Sequence, residues 1–410
     1  MIFQRTTSRA ATAVAVLALV TSTVAACGDG PSAGSEGPAG SAGKPAAAAK
    51  QETGLSLPRP TGPHTIGQDT LHLTDKSRRD PWVPAAGKRE LMVSVFYPAL
   101  EGGDGGRASY MARKESTRLL KALKLDKKFG AELLASVRTN ALPGARPAQG
   151  RYPLVVLSPG FTLHRATQTG LAEELASRGY VVALVDHAYE SYGTEFPGKG
   201  DATRLRTCVA CAKVEGAPSG NSGENEVLAK AARNRAADLS FVVDELTDRH
   251  SDYAARIDAR RIGAAGHSLG GNAAAVAAGT DRRIRAAVNL DGTFFAPVPA
   301  AGTGRPLLML GTREGHNPRA KDVTWPREFD RMHGWKRWLT VADSGHFTFT
   351  DLPVLGGQAG RTDPSAPLSG KRSGEITTGY VAAFFDRHLR DRQPALLDGP
   401  SKANPEVDFH

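Results

Sequence analysis

The chain is short of three features that would identify a class of protein directly. Its N-terminal apolar stretch, residues 10–20, is too short to cross a bilayer as a mature helix. Its 52 Lys and Arg residues outnumber its 42 Asp and Glu residues, but they are scattered and form no basic stripe. No internal repeat is visible. We therefore expect no nucleic-acid partner, and we interpret the net charge of +10 as a solvated surface that anionic lipid can attract.

Cysteine is also scarce, with three in 410 residues. Cys208 and Cys211 form a C-x-x-C pair in a loop rich in Gly, Ser and Asn. A zinc site would need two further ligands that this loop does not supply, and a thioredoxin-like role would need a different fold. In an exported protein, the favoured interpretation is a local disulfide. We expect neither a metal nor an organic cofactor.

The N-terminus has the pattern of an export signal. Arg5 and Arg9 supply a positive start, residues 10–20 an apolar stretch, and residues 24–26 (VAA) the small side chains before a cleavage point. Cys27 follows directly. This arrangement resembles the bacterial lipoprotein signal, whose cysteine is diacylated and becomes the mature N-terminus. The alternative is ordinary secretion with Cys27 incidental.

Either alternative predicts an exported protein of the cell envelope, held by lipid at the outer face of the cytoplasmic membrane or secreted. Residues 1–26 are then a lipoprotein signal peptide. Residues 27–63, rich in Gly, Ala, Ser and Pro, cannot bury a core and predict a flexible tether.

The alternation of apolar runs predicts one α/β domain over residues 64–392, with residues 393–410 as a C-terminal tail. Strand, helix and strand with short links indicate parallel pairing through right-handed crossovers. The expected fold is a mainly parallel sheet with helices on both faces. The predicted core strands lie at residues 154–157, 180–185, 284–290, 306–310 and 336–341, and the predicted helices at 166–178, 232–249, 272–278 and 375–389.

Residues 108–145 precede the next core strand and begin with a helical pattern. We expect this segment to lie over the sheet either as a small lid or as a plain peripheral helix pair.

The motif that organises the chain is GHSLGG at residues 266–271. An apolar run, residues 261–265, leads into it, and a run of small helical residues, 272–278, leads out. Strand, G-x-S-x-G and helix in this order are typical of a nucleophile elbow, in which a serine sits on a strained turn. The flanking glycines are required because the strand and helix approach closely. The pattern predicts that Ser268 is a nucleophile.

A serine hydroxyl needs a base, and the base needs an orienting acid. His346 lies just after a late strand in DSGHF, residues 343–347, where the base belongs in the chain order serine, acid, histidine. His267 and His388 are interpreted as structural. Three further histidines lie on loops and could face the site: His164, His187 and His316.

The acid has two candidates. Asp291 ends a strand and is followed by Gly292, whereas Glu314 lies on the looser loop after the next strand. We favour Asp291 because a strand end holds its position rigidly, and we keep Glu314 as the alternative. The backbone N–H of Leu269, the residue after the nucleophile, is the first candidate donor for an oxyanion. Four phenylalanines could line an acyl pocket or belong to the core: Phe294, Phe295, Phe347 and Phe349.

From residue 154 to residue 351 the chain resembles the plasma-type platelet-activating-factor acetylhydrolases and related bacterial α/β-hydrolase esterases. The matching motifs are residues 157–161 (LSPGF) with Arg165, 174–180 (ELASRGY) leading to Asp186 and His187, the elbow, 290–292 (LDG) and 345–351 (GHFTFTD). The resemblance implies an α/β-hydrolase fold, Asp291 as the acid and Phe161 as the second oxyanion donor. One departure is Pro159, since the family usually has His-Gly at this turn.

These observations together predict an exported serine hydrolase that cleaves carboxylic esters through Ser268, His346 and Asp291. The resemblance implies lipid or phospholipid esters with short acyl groups as substrates. The alternatives are a triacylglycerol lipase or cutinase-like polyester hydrolase, and a non-catalytic envelope lipoprotein.

Overall fold

The computed structural model describes residues 54–102, 106–200, 202–218 and 221–410, with only the backbone of residue 221. The predicted signal peptide, Cys27 and most of the predicted tether lie outside the described residues. Within these ranges, no helix is both long and apolar enough to cross a membrane.

Twelve strands are found in the described ranges. In chain order they are β1 (Thr65–Arg79), β2 (Lys88–Ala99), β3 (Leu142–Pro143), β4 (Tyr152–Ser158), β5 (Val181–His187), β6 (Thr194–Pro197), β7 (Thr203–Arg206), β8 (Ile257–His267), β9 (Ile284–Leu290), β10 (Leu307–Thr312), β11 (Lys336–Val341) and β12 (Val407–Phe409). The α-helices are α1 (Arg113–Ala122), α2 (Glu132–Ala135), α3 (Thr169–Ser177), α4 (Val209–Glu215), α5 (Asn221–Thr247), α6 (Leu269–Thr280), α7 (Arg313–His316), α8 (Thr324–Arg331), α9 (Leu352–Gln358) and α10 (Gly370–Arg390).

Ten of these strands form one sheet in the order β12-β11-β10-β9-β8-β4-β5-β2-β1-β3. The six strands from β11 to β5 in this order pair in parallel. β2 pairs antiparallel with both β5 and β1, and β12 pairs antiparallel with β11. The predicted mainly parallel sheet is therefore confirmed, with antiparallel strands towards both edges.

Helices cover both faces of the sheet because the apolar residues of the central strands alternate between two cores. In β4, Leu154 and Val156 face one core, and Val155 and Leu157 face the other. The first core is closed by α5 and α6, and the second by α3 and α10. Side chains of successive strand residues point to opposite faces, so a strand buried on both faces reads as a continuous apolar run.

The segment 108–145 contains α1, α2 and β3 and is hydrogen-bonded to the main body. The Tyr110 hydroxyl donates to Asp351 over 3.2 Å, and the backbone N–H of Ala141 donates to Glu173 over 2.9 Å. Both acceptors are buried carboxylates of the main body.

Two regions have more structure than their patterns indicated. The long loop after β5 contains the β6–β7 hairpin and α4, and α5 begins at Asn221, well before residue 232. The predicted tail, residues 393–410, ends in β12, whose Val407 pairs with Val341 and extends the sheet.

Candidate active site

The turn between β8 and α6 holds Ser268 in a strained conformation. Its φ is +55°, in the left-handed region that a residue with a side chain rarely adopts. A Cβ on Gly270 would overlap the carbonyl oxygen of Ser158, and one on Gly266 would overlap the backbone of Gly270. The two glycines therefore allow β8, α6 and the end of β4 to meet, and the serine is presented at their junction.

The Ser268 hydroxyl contacts the imidazole of His346. Oγ of Ser268 lies 3.0 Å from Nε2 of His346, and Nδ1 of His346 lies 2.6 Å from Oδ2 of Asp291. A carboxylate only accepts, so Nδ1 carries the hydrogen, and Nε2 is left to accept from the serine hydroxyl. The His346 side chain is 48% exposed and Asp291 is buried, so the chain of contacts runs from the surface into the protein.

Asp291 follows β9 directly and is held in its ionised form. Burial alone would raise its pKa, but the charge and hydrogen bond of His316, with those of His346, hold the pKa well below the usual range. The backbone N–H of Thr312 also donates to Oδ1 of Asp291 over 2.6 Å. Among the described residues, Asp291 is the carboxylate that contacts His346, whereas Glu314 lies exposed on α7.

The two candidate oxyanion donors are Leu269, directly after the nucleophile, and Phe161, in the loop after β4. Leu269 is the first residue of α6, where a backbone N–H has no partner within the helix. Phe161 follows Gly160 in the loop after β4, and a Cβ on Gly160 would lie 2.8 Å from Nδ1 of His267. Glycine at this position therefore lets the loop close against the elbow.

Comparison with known proteins identifies the family. The family model described as platelet-activating factor acetylhydrolase, isoform II, matches residues 49–202 and 236–362. The chain belongs to this family. It is a carboxylic ester hydrolase with the α/β-hydrolase fold, as the sequence motifs indicated.

Two curated relatives and one solved structure extend over most of the chain. A probable 1-alkyl-2-acetylglycerophosphocholine esterase of Arthroderma benhamiae is 28% identical, covering 86% of this chain and 93% of that protein. The platelet-activating factor acetylhydrolase of Gallus gallus is 22% identical, covering 85% and 88%. The structure of a ferulic acid esterase from Streptomyces cinnamoneus is 44% identical, with a TM-score of 0.76, and covers 87% of this chain and 99% of that one.

In this member of the acetylhydrolase family, a second Ser-His-Asp chain of contacts starts at Ser158, the last residue of β4. Oγ of Ser158 is 2.9 Å from Nε2 of His187, and Nδ1 of His187 is 2.8 Å from Oδ2 of Asp238. Arg89 donates to the same Asp238 oxygen over 2.7 Å. All four side chains are buried, so they cannot meet a substrate. They fix the end of β4, from which the loop that contains Phe161 starts.

Sequence reasoning singled out His187 but missed Arg89, Arg235 and Asp238. Arg235 is buried and donates to the carbonyl oxygen of Pro159 and to the carboxylate of Glu190. One signal was available, because Arg235 continues the apolar stripe of α5 four residues before Leu239. A charged residue on an apolar stripe needs a buried partner.

The remaining histidines have distinct positions. His267 donates through Nε2 to the backbone carbonyl of His346 over 2.7 Å, and burial, then the nearby His346, lowers its pKa to about 3. His316 contacts Asp291 and so reaches the site. His164 is buried between Glu115 and Asp186. His388, in α10, packs on Trp335.

The four candidate pocket phenylalanines divide into two pairs. Phe294 and Phe349 are fully buried and belong to the core. Phe295 and Phe347 are half-buried, and the Phe347 ring lies 5.8 Å from the His346 ring. Of the four, Phe347 is the one with a ring contact to His346, and it can offer apolar surface next to the base.

Cys208 and Cys211 are joined by a disulfide, with Cys208 as the N-cap of α4. The described part of the chain contains no group of three or more His, Cys, Asp or Glu side chains that could hold a metal ion.

Proposed function

We propose that this esterase uses Ser268 as its nucleophile, His346 as its general base and acid, and Asp291 to orient the imidazole. The observation that carries the proposal is the continuous contact from Ser268 Oγ through both nitrogens of His346 to Asp291 Oδ2. The geometry is that of a Ser-His-Asp triad, in which each member needs the next.

The reaction proceeds in two halves. Ser268 Oγ attacks the ester carbonyl carbon while Nε2 of His346 takes the hydroxyl proton. The backbone N–H groups of Phe161 and Leu269 donate to the oxyanion. The tetrahedral intermediate collapses, and His346 returns the proton to the departing alcohol. A water molecule then gives a proton to His346 and attacks the acyl carbon of the acyl-enzyme. His346 returns this proton to Oγ of Ser268 as the bond to the acyl group breaks, which releases the acid and restores the serine hydroxyl. Asp291 stays ionised throughout.

The first candidate substrates are lipid or phospholipid esters with a short acyl group. This class is supported by the family and by the name of the Arthroderma benhamiae relative, an esterase for 1-alkyl-2-acetylglycerophosphocholine. The full chain has a net charge of +10, of which Arg5 and Arg9 in the predicted signal peptide supply two, and the remaining positive charge favours approach to anionic lipid surfaces.

A second candidate class is esters of aromatic acids. The Streptomyces cinnamoneus ferulic acid esterase shares 44% of its residues with this chain, more than the curated acetylhydrolases do. The half-buried ring of Phe347, 5.8 Å from the His346 ring, is available to flank a planar acyl group.

We further propose that the protein is exported and held at the membrane through a lipid on Cys27. The support is the sequence of residues 1–27. Mass spectrometry of the mature N-terminus tests this directly. A diacylated N-terminal cysteine supports the anchor, cleavage without lipid supports plain secretion, and an uncleaved chain contradicts both.

An ester panel tests the substrate assignment, with Ser268→Ala as the blank. The panel contains p-nitrophenyl acetate, butyrate and palmitate, methyl ferulate and 1-alkyl-2-acetylglycerophosphocholine. Preference for the acetyl esters supports the first class, and preference for methyl ferulate the second. Preference for palmitate contradicts both and favours a lipase, and turnover no higher than that of Ser268→Ala contradicts the assignment of Ser268 as the nucleophile.

A further inference from the structure

Asp291 contacts two imidazoles, one on each carboxylate oxygen. Oδ2 lies 2.6 Å from Nδ1 of His346, and Oδ1 lies 2.7 Å from Nδ1 of His316. A Ser-His-Asp triad needs only the first of these contacts. The second contact places another titratable side chain, His316, on the same carboxylate as the base His346.

The second nitrogen of His316 also faces a carboxylate. Nε2 lies 3.2 Å from Oδ2 of Asp322. Since carboxylates only accept, both ring nitrogens of His316 must carry hydrogens, and the ring is a cation. Burial opposes this charge, but the two carboxylates, Asp291 first, raise the pKa of His316 to about 9. The ring therefore stays charged through neutral pH.

The surroundings of His316 fix this cation in place. Its ring stacks on the indole of Trp325 with centroids 4.2 Å apart, and its backbone carbonyl accepts from Nε1 of Trp338 over 2.7 Å. Asp322 is held by Thr293 and Thr324, whose hydroxyls donate to its two oxygens over 2.7 Å and 2.5 Å. The pair is therefore a built feature and not a surface contact.

We propose that His316 is a positioning residue that acts through Asp291: its fixed positive charge weakens the hold of the shared carboxylate on the protonated His346, and the negative charge of Asp322 partly offsets this effect. This inference rests on the proposed triad. A cation on the far oxygen of Asp291 weakens the attraction between the carboxylate and the protonated base.

The other groups near the rings of His346 and His316 are the same in every variant of His316 and Asp322. Towards His346 lie Ser268, neutral His267 and, beyond Gly345, the carboxylate of Asp363. On the helix of His316, Arg313 pairs with Asp408 of β12 and Glu314 is exposed. Substitutions confined to His316 and Asp322 therefore isolate the effect of their two charges.

Three variants separate the charge effect from a structural one. His316→Asn removes the cation but keeps an N–H that can donate to Asp291. Asp322→Asn removes the anion but keeps an amide oxygen that can accept from Nε2 of His316. The double variant removes both charges. The measurement is the pH profile of kcat/KM on the best ester of the panel, with near-ultraviolet circular dichroism as the check on folding.

The expected shifts of the acidic limb have opposite signs. His316→Asn moves it up by about one pH unit, because Asp291 and Asp322 are left uncompensated. Asp322→Asn moves it down, and the double variant returns it close to wild type. Single variants that lose activity equally at every pH, or that shift the limb in the same direction, overturn the inference. If His316→Asn does not fold, the direction of the Asp322→Asn shift decides.

Failure of this inference and failure of the proposed function are distinguishable. Hydrolysis that persists in Ser268→Ala contradicts the triad itself. Hydrolysis that is abolished in Ser268→Ala, with no shift in the limb of the charge variants, contradicts only the role of His316.

Discussion

Arg235 donates a hydrogen bond to the carbonyl oxygen of Pro159 over 2.6 Å. Pro159 begins the loop after β4 and lies two residues before Phe161, a candidate oxyanion donor. The same guanidinium bonds Glu190 over 2.7 Å, and Glu190 in turn bonds Arg89 over 3.0 Å. The carbonyl therefore has a fixed orientation. This hydrogen bond therefore fixes the plane of the Pro159–Gly160 peptide, and the peptide that carries the Phe161 N–H follows it directly.

We expect Arg235→Met to lower kcat by roughly ten- to a hundredfold with little change in KM, because loss of one whole oxyanion donor costs about a hundred- to a thousandfold. Steady-state kinetics, normalised to titrated active sites, measures the effect. Arg233→Met is the matched control, since Arg233 is exposed on the same helix. An unchanged kcat in folded Arg235→Met protein would show that the loop does not need this hydrogen bond.

The position of the acid leads to a second prediction. Asp291→Asn should lower kcat by about a thousand- to ten-thousandfold, because the imidazole loses its orienting charge and correct tautomer. Glu314→Gln, on an exposed position of α7, should change kcat by less than about twofold. Steady-state kinetics on the same ester compares the two variants. The reverse ranking would move the acid to Glu314.

The contact between β4 and the elbow predicts an effect on folding. In Gly270→Ala the new Cβ would overlap the backbone of Ser158. We expect a loss of more than about 3 kcal/mol in the free energy of unfolding, measured by urea denaturation. Gly399→Ala is the control, because a Cβ there meets nothing within 4 Å. Equal stability of the two variants would mean that the elbow can open without cost.

Buried His164 predicts a pH dependence of stability. Burial opposes its charge, but Asp186 and then Glu115 raise its folded-state pKa from 6.5 to about 9. A raised pKa gives stability that is fully present below the unfolded value and is lost as the pH rises through the folded one. We expect the free energy of unfolding to fall between pH 6.5 and 9, with His164 contributing on the order of 3 kcal/mol.

Urea denaturation at several pH values measures this slope. His164→Gln should flatten it in part, since His316 titrates in the same window. The exposed His250→Gln variant should keep the wild-type slope. A His164→Gln slope equal to that of wild type would place the charge elsewhere.

The parts of the fold that follow local rules were predictable from the sequence. β4, β5 and β9 are buried on both faces, so they read as short apolar runs between helical patterns. The elbow is a contiguous motif, and the positions of Asp291 and His346 follow from where neighbouring strands end. These features need only short-range pattern and the rules of parallel sheets.

The parts that depend on long-range pairing were not predictable. Arg89 and Asp238 meet across 149 positions, and neither lies in a motif. β12 has three residues and becomes a strand only because β11 offers an unpaired edge. The sequence does not distinguish His316 from the other loop histidines, because its role depends on Asp291 and Asp322, the carboxylates that the fold brings to both sides of its ring.

The central claim is that Ser268 is the nucleophile. The most direct measurement is peptide mapping by mass spectrometry after treatment with a fluorophosphonate, which forms a stable adduct with an activated serine. We expect one adduct, on the peptide that contains Ser268, formed at the rate at which hydrolysis is lost, and no adduct in Ser268→Ala or after denaturation. An adduct on a different residue, or hydrolysis that survives full modification of Ser268, would contradict the claim.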